Sequence, residues 1–423
     1  MKKSVLVLVA VGIAMLSAPL AFAADPIELT DLVFETPVLT ADFWDASIVR
    51  VEKKLPNIAI KKLVCPTGDR NSYAKQLLAT DQFPDVLHSL NPAEFVEADV
   101  LTPFDDAWVR EHFMVPYGSA LNGKVYTPPT GSQVIPMIYY NKAIFQEVGV
   151  TPPTTWAELL DVAEKLKQAG HTPFILPGGQ PSWGAGIIMH GIVSVDIYGK
   201  DPDWLNKRKA GQVSFSDANF VTAIKKWQDL VTAGYLEKGA LGVDFKSANN
   251  AFLAGQGAMY PMGSWFVGYI PQDNPFEVGV FPLPSEDGSV VLPVAVGSAT
   301  FVSKLTKHPK EAMEYAKAWA LDPDNMKALI ESDAYFPLIK GRTIEDYHVD
   351  VSDLFLENYA YLSRKDVVFV PSYGFALGDN SDLPGIRDEY ARMAQELFMG
   401  ADVEKELAKL DKVWDKTAKR LKH

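Results

Sequence analysis

The chain has 423 residues, is 48% hydrophobic and carries a formal net charge of −13. That length and apolar content are enough for more than one core, while the acidic balance, with no basic patch interleaved with aromatics, argues against nucleic acid or anionic membrane as partners. A single cysteine, Cys65, excludes an intrachain disulfide and reads as a buried structural thiol.

Residues 1–23 have the plan of a secretory signal peptide: Lys2 and Lys3, an apolar run from Val5 to Leu16, and Ala21-Phe22-Ala23 before Ala24. Its removal takes the formal charge from −13 to −15. The mature chain is expected free in the periplasm. No Cys follows the small residues to carry a lipid, and no later segment reaches the roughly 18 to 20 apolar residues of a membrane-spanning helix.

Ile27 to Phe34 reads as a first strand, followed by the loop Glu35-Thr36-Pro37. Phe43, Trp44, Ile48, Val51 and Leu55 share one helical face, Ile58 to Val64 is a second strand, Tyr73 to Leu78 is helical, and Asp85-Val86-Leu87 begins a third strand. Such alternation implies a parallel sheet with right-handed crossovers. Ligands of such sheets sit at the carboxyl ends of the strands. That rule singles out Glu35 and Thr36 after the first strand and Ser89 and Asn91 after the third, although each is also a common turn-former or helix cap.

Ile135 to Tyr140 is a short apolar run suited to a covered strand. Ala143 to Glu147 makes one short helical stretch before Gly149, and Pro152-Pro153 forces an extended segment. Thr155 and Glu158 then have capping-box spacing, and Trp156, Leu159, Leu160, Ala163 and Leu166 recur at helical spacing up to Gly170. Thr172 to Leu176 reads as a strand running into Pro177-Gly178-Gly179-Gln180, a loop that also holds Trp183. Asp217 to Thr232 is an amphipathic helix with Phe220, Ile224, Trp227 and Val231 inward, which makes Trp227 core. Ala258 to Met262 is a strand whose end releases Gly263-Ser264-Trp265. Further strands are read at Val278 to Leu283, Val290 to Val296 and Val367 to Val370. A helix opens at Pro309. Two helices end the chain, Pro384 to Phe398 and Asp402 to Leu421, the last with Val403, Leu407, Leu410, Trp414 and Leu421 as its inner stripe.

Two stretches carry a family resemblance. Tyr140 to Leu159 reads Y-N-K-x-x-F-x-x-x-G, a Pro, then T-W-x-E-L, and Phe252 to Trp265 reads FLAGQGAMYPMGSW. In this order they resemble the signatures of the extracellular solute-binding proteins of ABC importers, in the sugar-binding branch (family 1) that includes maltose-binding protein. The resemblance implies an α/β, two-lobed periplasmic binding protein fold of type II, each lobe a mainly parallel sheet flanked by helices, joined by a multi-stranded hinge. It places the lobes at 24–135 with 297–345 and at 136–296 with 346–423, with crossings near 133–138, 293–298 and 340–366. The implied partners are a small-molecule sugar ligand and the transmembrane permease subunits of an ABC transporter, and a monomer is expected.

A sugar presents hydroxyls that donate and accept beside an apolar face of C–H bonds. Its binder therefore needs planar polar side chains next to exposed aromatics. Trp183 and Trp265 lie beyond strand ends, and Trp265, after Gly263, falls on the family's signature Trp. Tyr373 and Phe375 with Asp379 and Asn380 form a third loop of this character, with Gln133 at the hinge and Gln180 beside Trp183 as further candidates. Maltose-type binders tend to carry another late Trp, but none stands between Trp319 and Trp414 here. This favours a neutral mono- or disaccharide over a long oligosaccharide.

Other readings are a receptor for ferric iron or another small polar solute, or a secreted glycoside-acting enzyme. Tyr139-Tyr140 raises the iron reading, yet consecutive strand residues point to opposite faces. None of the seven histidines has metal-site spacing, G-x-S-x-G is absent, and among 53 carboxylates a chance pair carries little information. No catalysis and no cofactor are expected.

Overall fold

The computed structural model describes residues 26–421 apart from 67, 68, 117, 180, 181, 238, 298 and 299. A five-stranded sheet runs in the order Ile58–Val64, Ile27–Val33, Val86–His88, Thr300–Ser303, Leu101–Thr102. The first three strands are parallel, in register from Ile27 opposite Ile58 to Val33 opposite Val64, and the last two are antiparallel additions. The helix Ala41–Lys54 begins at Thr40, whose hydroxyl accepts from the Phe43 N–H. It buries Trp44, Ile48 and Val51, at i, i+4 and i+7, against this sheet. The buried Asp31 carboxylate receives the Tyr315 hydroxyl at 2.9 Å and faces Nε2 of His88 at 3.2 Å, and the His88 ring packs against Trp44 and Trp319. This polar cluster is sealed in the core and ties the sheet to the helix Pro309–Leu321.

A second sheet has three strands, Val278–Pro282, Met137–Asn141 and Met259–Met262, and both pairings are antiparallel. The expectation of a mainly parallel sheet therefore holds for the core of the first sheet and fails for the second. Thr172 to Leu176 is expected as a further strand. That run makes only isolated bridges from Phe174 to Met259 and Leu236, because Pro173 within it and Pro177 just after it lack the N–H groups that would extend a ladder.

A third sheet of four strands, in the order Phe336–Pro337, Gly131–Val134, Val291–Val296, Val368–Pro371, bridges the other two. Gly131–Val134 leads directly into Met137–Asn141 of the second sheet, and Val291–Val296 leads into Thr300–Ser303 of the first. Val134 pairs with Val294 antiparallel, and Val291 with Val368 in parallel.

The helix Trp156–Gln168 starts with the capping box written in the sequence: the Thr155 hydroxyl accepts from the Glu158 N–H, and Glu158 accepts from the Thr155 and Thr154 N–H groups. Trp156, Leu159, Val162, Ala163 and Leu166 are its buried face, while Leu160 is only partly covered. Trp227 is fully buried as expected, and Cys65 is buried too. In the last helix, Val403–Leu421, the stripe is buried through Trp414, but Leu421 is exposed at the free end. The helices Pro323–Asp333 and Asp353–Leu362 were not read from the sequence. Each carries a cap that was legible, Asp322 before Pro323 and Ser352 before Asp353, accepting from the N–H groups of Asn325 and Phe355.

Candidate functional site

An aromatic wall forms where the second sheet ends. The chain leaves Met259–Met262 through Gly263 into a 3-10 turn, Ser264–Tyr269, that carries Trp265. A Cβ on Gly263 would lie 2.1 to 2.4 Å from the Trp265 ring, so only glycine lets the indole fold back across the strand end. Trp183 stands in a second 3-10 turn, Ser182–Gly186, and Phe375 in the loop after Val368–Pro371. The three rings close a triangle, with centroids 6.1 Å apart for Trp183 and Trp265, 5.7 Å for Trp183 and Phe375, and 6.4 Å for Trp265 and Phe375. Phe245 and Tyr269 extend the wall.

Groups after the first sheet's strands face this wall. Phe34 and Thr36 follow Ile27–Val33, Ser89 follows Val86–His88 in a left-handed conformation (φ 57°), and Arg70 opens the helix Arg70–Ala79. The Arg70 guanidinium lies 3.5 Å above the centre of the Phe34 ring and donates to the Ser89 hydroxyl. The turn Ser264–Tyr269 approaches the loop after Ile27–Val33, where a Cβ on Gly268 would lie 3.3 Å from the Val38 side chain, and burial pushes the Tyr269 hydroxyl up to about 12. Gln133 of the bridging sheet donates to Asp333 twice, to the backbone oxygen at 2.9 Å and to Oδ2 at 3.0 Å. Burial raises Asp333 to about 7 against the opposing pull of Gln133 and Arg70, and burial lowers Arg70 to about 10. A Cβ on Gly268 would sit 1.8 Å from the Ser332 oxygen, so the turn bearing Trp265 presses directly on the end of the helix Pro323–Asp333.

The structure thus gathers Trp183, Trp265, Gly263, Thr36, Ser89 and Gln133 around one recess. It sends the other candidates elsewhere. Tyr373 is a correction: it is 1% exposed, packed among His190, Tyr198 and Tyr390, and the recess receives Phe375 two residues on. Gly374 between them, at φ 74°, turns the backbone so that the neighbours diverge. Asn91 is a cap, its side chain accepting from the Ala93 N–H and its backbone held both ways by Asn71. Asp379 is exposed and holds a turn through the N–H groups of Asn122 and Gly123, while Asn380 lines a cavity of about 160 Å³ with Val115, Gly118 and Phe369. Glu35 is exposed in the turn beside Thr36, and Gln180 lies outside the described residues. Tyr139 is buried against Phe266 while Tyr140 packs on Phe145, so the two do not converge on a shared ligand. Among the described residues no group of three His, Cys, Asp or Glu side chains is arranged to hold a metal ion.

Residues 39–327 match the family of bacterial extracellular solute-binding proteins. The chain belongs to that family. It is 27% identical over 286 residues to the multiple sugar-binding protein of Streptococcus mutans, a match covering 64% of this chain and 67% of the relative. An uncharacterized ABC transporter extracellular-binding protein of Pyrococcus horikoshii is 27% identical over 314 residues, covering 70% of this chain and 67% of that one. Among solved structures, a chitin oligosaccharide binding protein superposes with a TM-score of 0.80 at 21% identity, over 94% of this chain and all of that one. These likenesses establish the two-lobed α/β solute-binding fold. The recess lies between the ends of the five-stranded and three-stranded sheets, where the turn Ser264–Tyr269 approaches Val38. No helix among the described residues is long and apolar enough to cross a membrane.

Four residues of the cleft were missed in the sequence: Arg70, Asp333, Tyr269 and Arg387. Arg387 lies in the first turn of the helix Ile386–Phe398, with its guanidinium 4.6 Å from the centre of the Phe375 ring. Arg70 likewise occupies a first turn. A cation there opposes the helix dipole, and that misplacement was the signal available.

Proposed function

We propose that this protein is the solute-capturing subunit of an ABC importer and that its ligand is a carbohydrate, a mono- or disaccharide held between the lobes. The observation that carries this reading is the wall of Trp183, Trp265 and Phe375 opposite the polar set Thr36, Arg70, Ser89, Gln133 and Asp333. Flat rings offer area to the C–H face of a sugar at little entropic cost, and the polar groups opposite match hydroxyls in pairs. The name of the Streptococcus relative supports the same ligand class. In this reading residues 1–23 are a cleavable export signal and the mature protein works in the periplasm as a monomer. The lobes comprise 24–135 with 297–345 and 136–296 with 346–423. The loaded protein delivers its sugar to membrane permease subunits, without catalysis and without nucleic acid as a partner.

A thermal-shift panel of mono-, di- and oligosaccharides tests it. A ligand bound only by the native state stabilises that state by about 2.7 kcal/mol at a hundredfold excess over Kd, a clear rise in Tm. Silence across the whole panel would refute the carbohydrate assignment.

A further inference from the structure

The cleft of this acidic protein is lined by cations that its own carboxylates leave poorly matched. Arg70 reaches in from the first lobe and Arg387 from the second, and the positive charge of Arg387 is near enough to help lower Arg70. Among the described residues neither guanidinium forms an ion pair. Arg70 has only the hydroxyl and backbone oxygen of Ser89 and the face of Phe34, and Arg387 has the face of Phe375. Burial depresses both, which means each charge has lost water without gaining an equivalent partner.

The carboxylates nearby are Asp333, already engaged by Gln133, Asp382, whose two oxygens are buried with no hydrogen-bonding partner, and Asp388, the neighbour of Arg387 on its helix. Burial raises Asp333 and Asp382 to about 7. Among the described residues neither arginine forms an ion pair with any of the three, and both occupy helix first turns that favour an anion. A planar guanidinium stacked on an aromatic ring keeps its N–H edge free, and that edge is suited to paired hydrogen bonds with a carboxylate or phosphate.

We propose, building on the carbohydrate reading above, that the cleft selects a sugar bearing an anionic substituent, held at the closed interface between Arg70 of one lobe and Arg387 of the other. The substituent is a carboxylate, as in a uronate, or a phosphate ester. The sugar ring stacks on Trp183 and Trp265 while the anion joins the two arginines. A neutral sugar of the same shape leaves the two like charges facing each other and is discriminated against on closure.

The experiment is titration calorimetry on the full mature protein with matched sets: galactose, galacturonate and galactose 6-phosphate; glucose, glucuronate and glucose 6-phosphate; and digalacturonate against its neutral disaccharide. At least one acidic member should bind tenfold or more tightly than its neutral parent, and its affinity should weaken as salt rises. The uronate and phosphate arms separate the two sources of charge. Arg70→Gln and Arg387→Gln, each verified by melting, should bring the acidic-to-neutral affinity ratio toward one. Neutral sugars binding as well as or better than their acidic partners would overturn the anionic inference and leave the sugar-receptor reading intact. Failure of every member to bind would overturn both. Should either variant not fold, the wild-type ratios decide alone.

Discussion

Trp183 and Trp265 meet edge to face, their ring planes at 88° and their centroids 6.1 Å apart, although 82 positions of sequence separate them. The relationship fixes two perpendicular surfaces at the mouth of the second lobe, with Phe375 closing the angle. Neither indole is fully buried. This distinguishes them from Trp204, Trp227 and Trp414, which fill the core.

Replacing Trp265 by alanine is therefore expected to leave the fold intact and to weaken ligand binding at least tenfold, about 1.4 kcal/mol. Calorimetric titration beside a thermal melt measures both. An unchanged Kd, or a loss of stability like that from a core tryptophan, would remove Trp265 from the site.

Asp411 ties the last helix to Arg208 and to the turn at Ser214 to Ser216. It accepts from Arg208 Nη2 at 3.0 Å, from the hydroxyls of Ser214 and Ser216, and from the N–H groups of Phe215 and Ser216. Arg208 is only 5% exposed, so Asp411→Ala strands a buried charge with Asp415 as its remaining carboxylate partner. The expected cost is roughly 2 to 3 kcal/mol, read from the urea midpoint at constant m. Removing the exposed Lys225 from its pair with Glu404 should leave the midpoint where it is.

Asp333 and Asp382 give the stability an unusual pH dependence. Burial raises both from the ordinary 3.8 to about 7, so between those values the folded chain holds protons that the unfolded chain has released. Their contribution is fully present below about pH 4, is lost as pH rises through 7, and is flat above that. Each supplies a slope of at most about 1.4 kcal/mol per pH unit. Carboxylates held low, such as Asp411 and Glu406, act in the opposite sense and lose their contribution as pH falls below the ordinary range. The ligand-free protein should accordingly melt at a higher temperature at pH 5 than at pH 8, and Asp333→Asn should reduce that difference. A melting temperature that climbs steadily from pH 5 to 8 would show that the two carboxyls are not protonated in the fold.

The sequence was most legible where local chemistry decides the outcome. Thr155 and Glu158 form the predicted capping box, Ile58 to Val64 is a strand over that whole span, and the Gly263-Ser264-Trp265 exit lies where the apolar run ends. It was least legible where a left-handed residue or a distant partner decides. Tyr373 and Phe375 belong to a loop without periodicity, and the turn at Gly374 sends one ring into the core and the other to the cleft. Arg70, Asp333 and Arg387 are far apart along the chain and are brought near one another only by the folded structure, which no spacing in the sequence records. The strand expected at Thr172 to Leu176 failed for a local reason that was visible, Pro173 within the run and Pro177 just after it.

The central claim is that one ligand uses both lobes at once. A ligand shifts an open and closed equilibrium only by its differential affinity for the two states, and the groups named here supply that difference: Thr36, Ser89 and Arg70 on one side, Trp183, Trp265 and Phe375 on the other, with the turn Ser264–Tyr269 approaching Val38 across the gap. Strands of the four-stranded sheet give the lobes a hinge about which to close. Small-angle X-ray scattering of the mature protein, with and without a saturating sugar identified in the binding panel, measures the consequence. The account predicts a smaller radius of gyration with ligand, and a loss of both affinity and compaction when Trp265 is replaced by alanine. Identical scattering from the free and the tightly bound protein would contradict it.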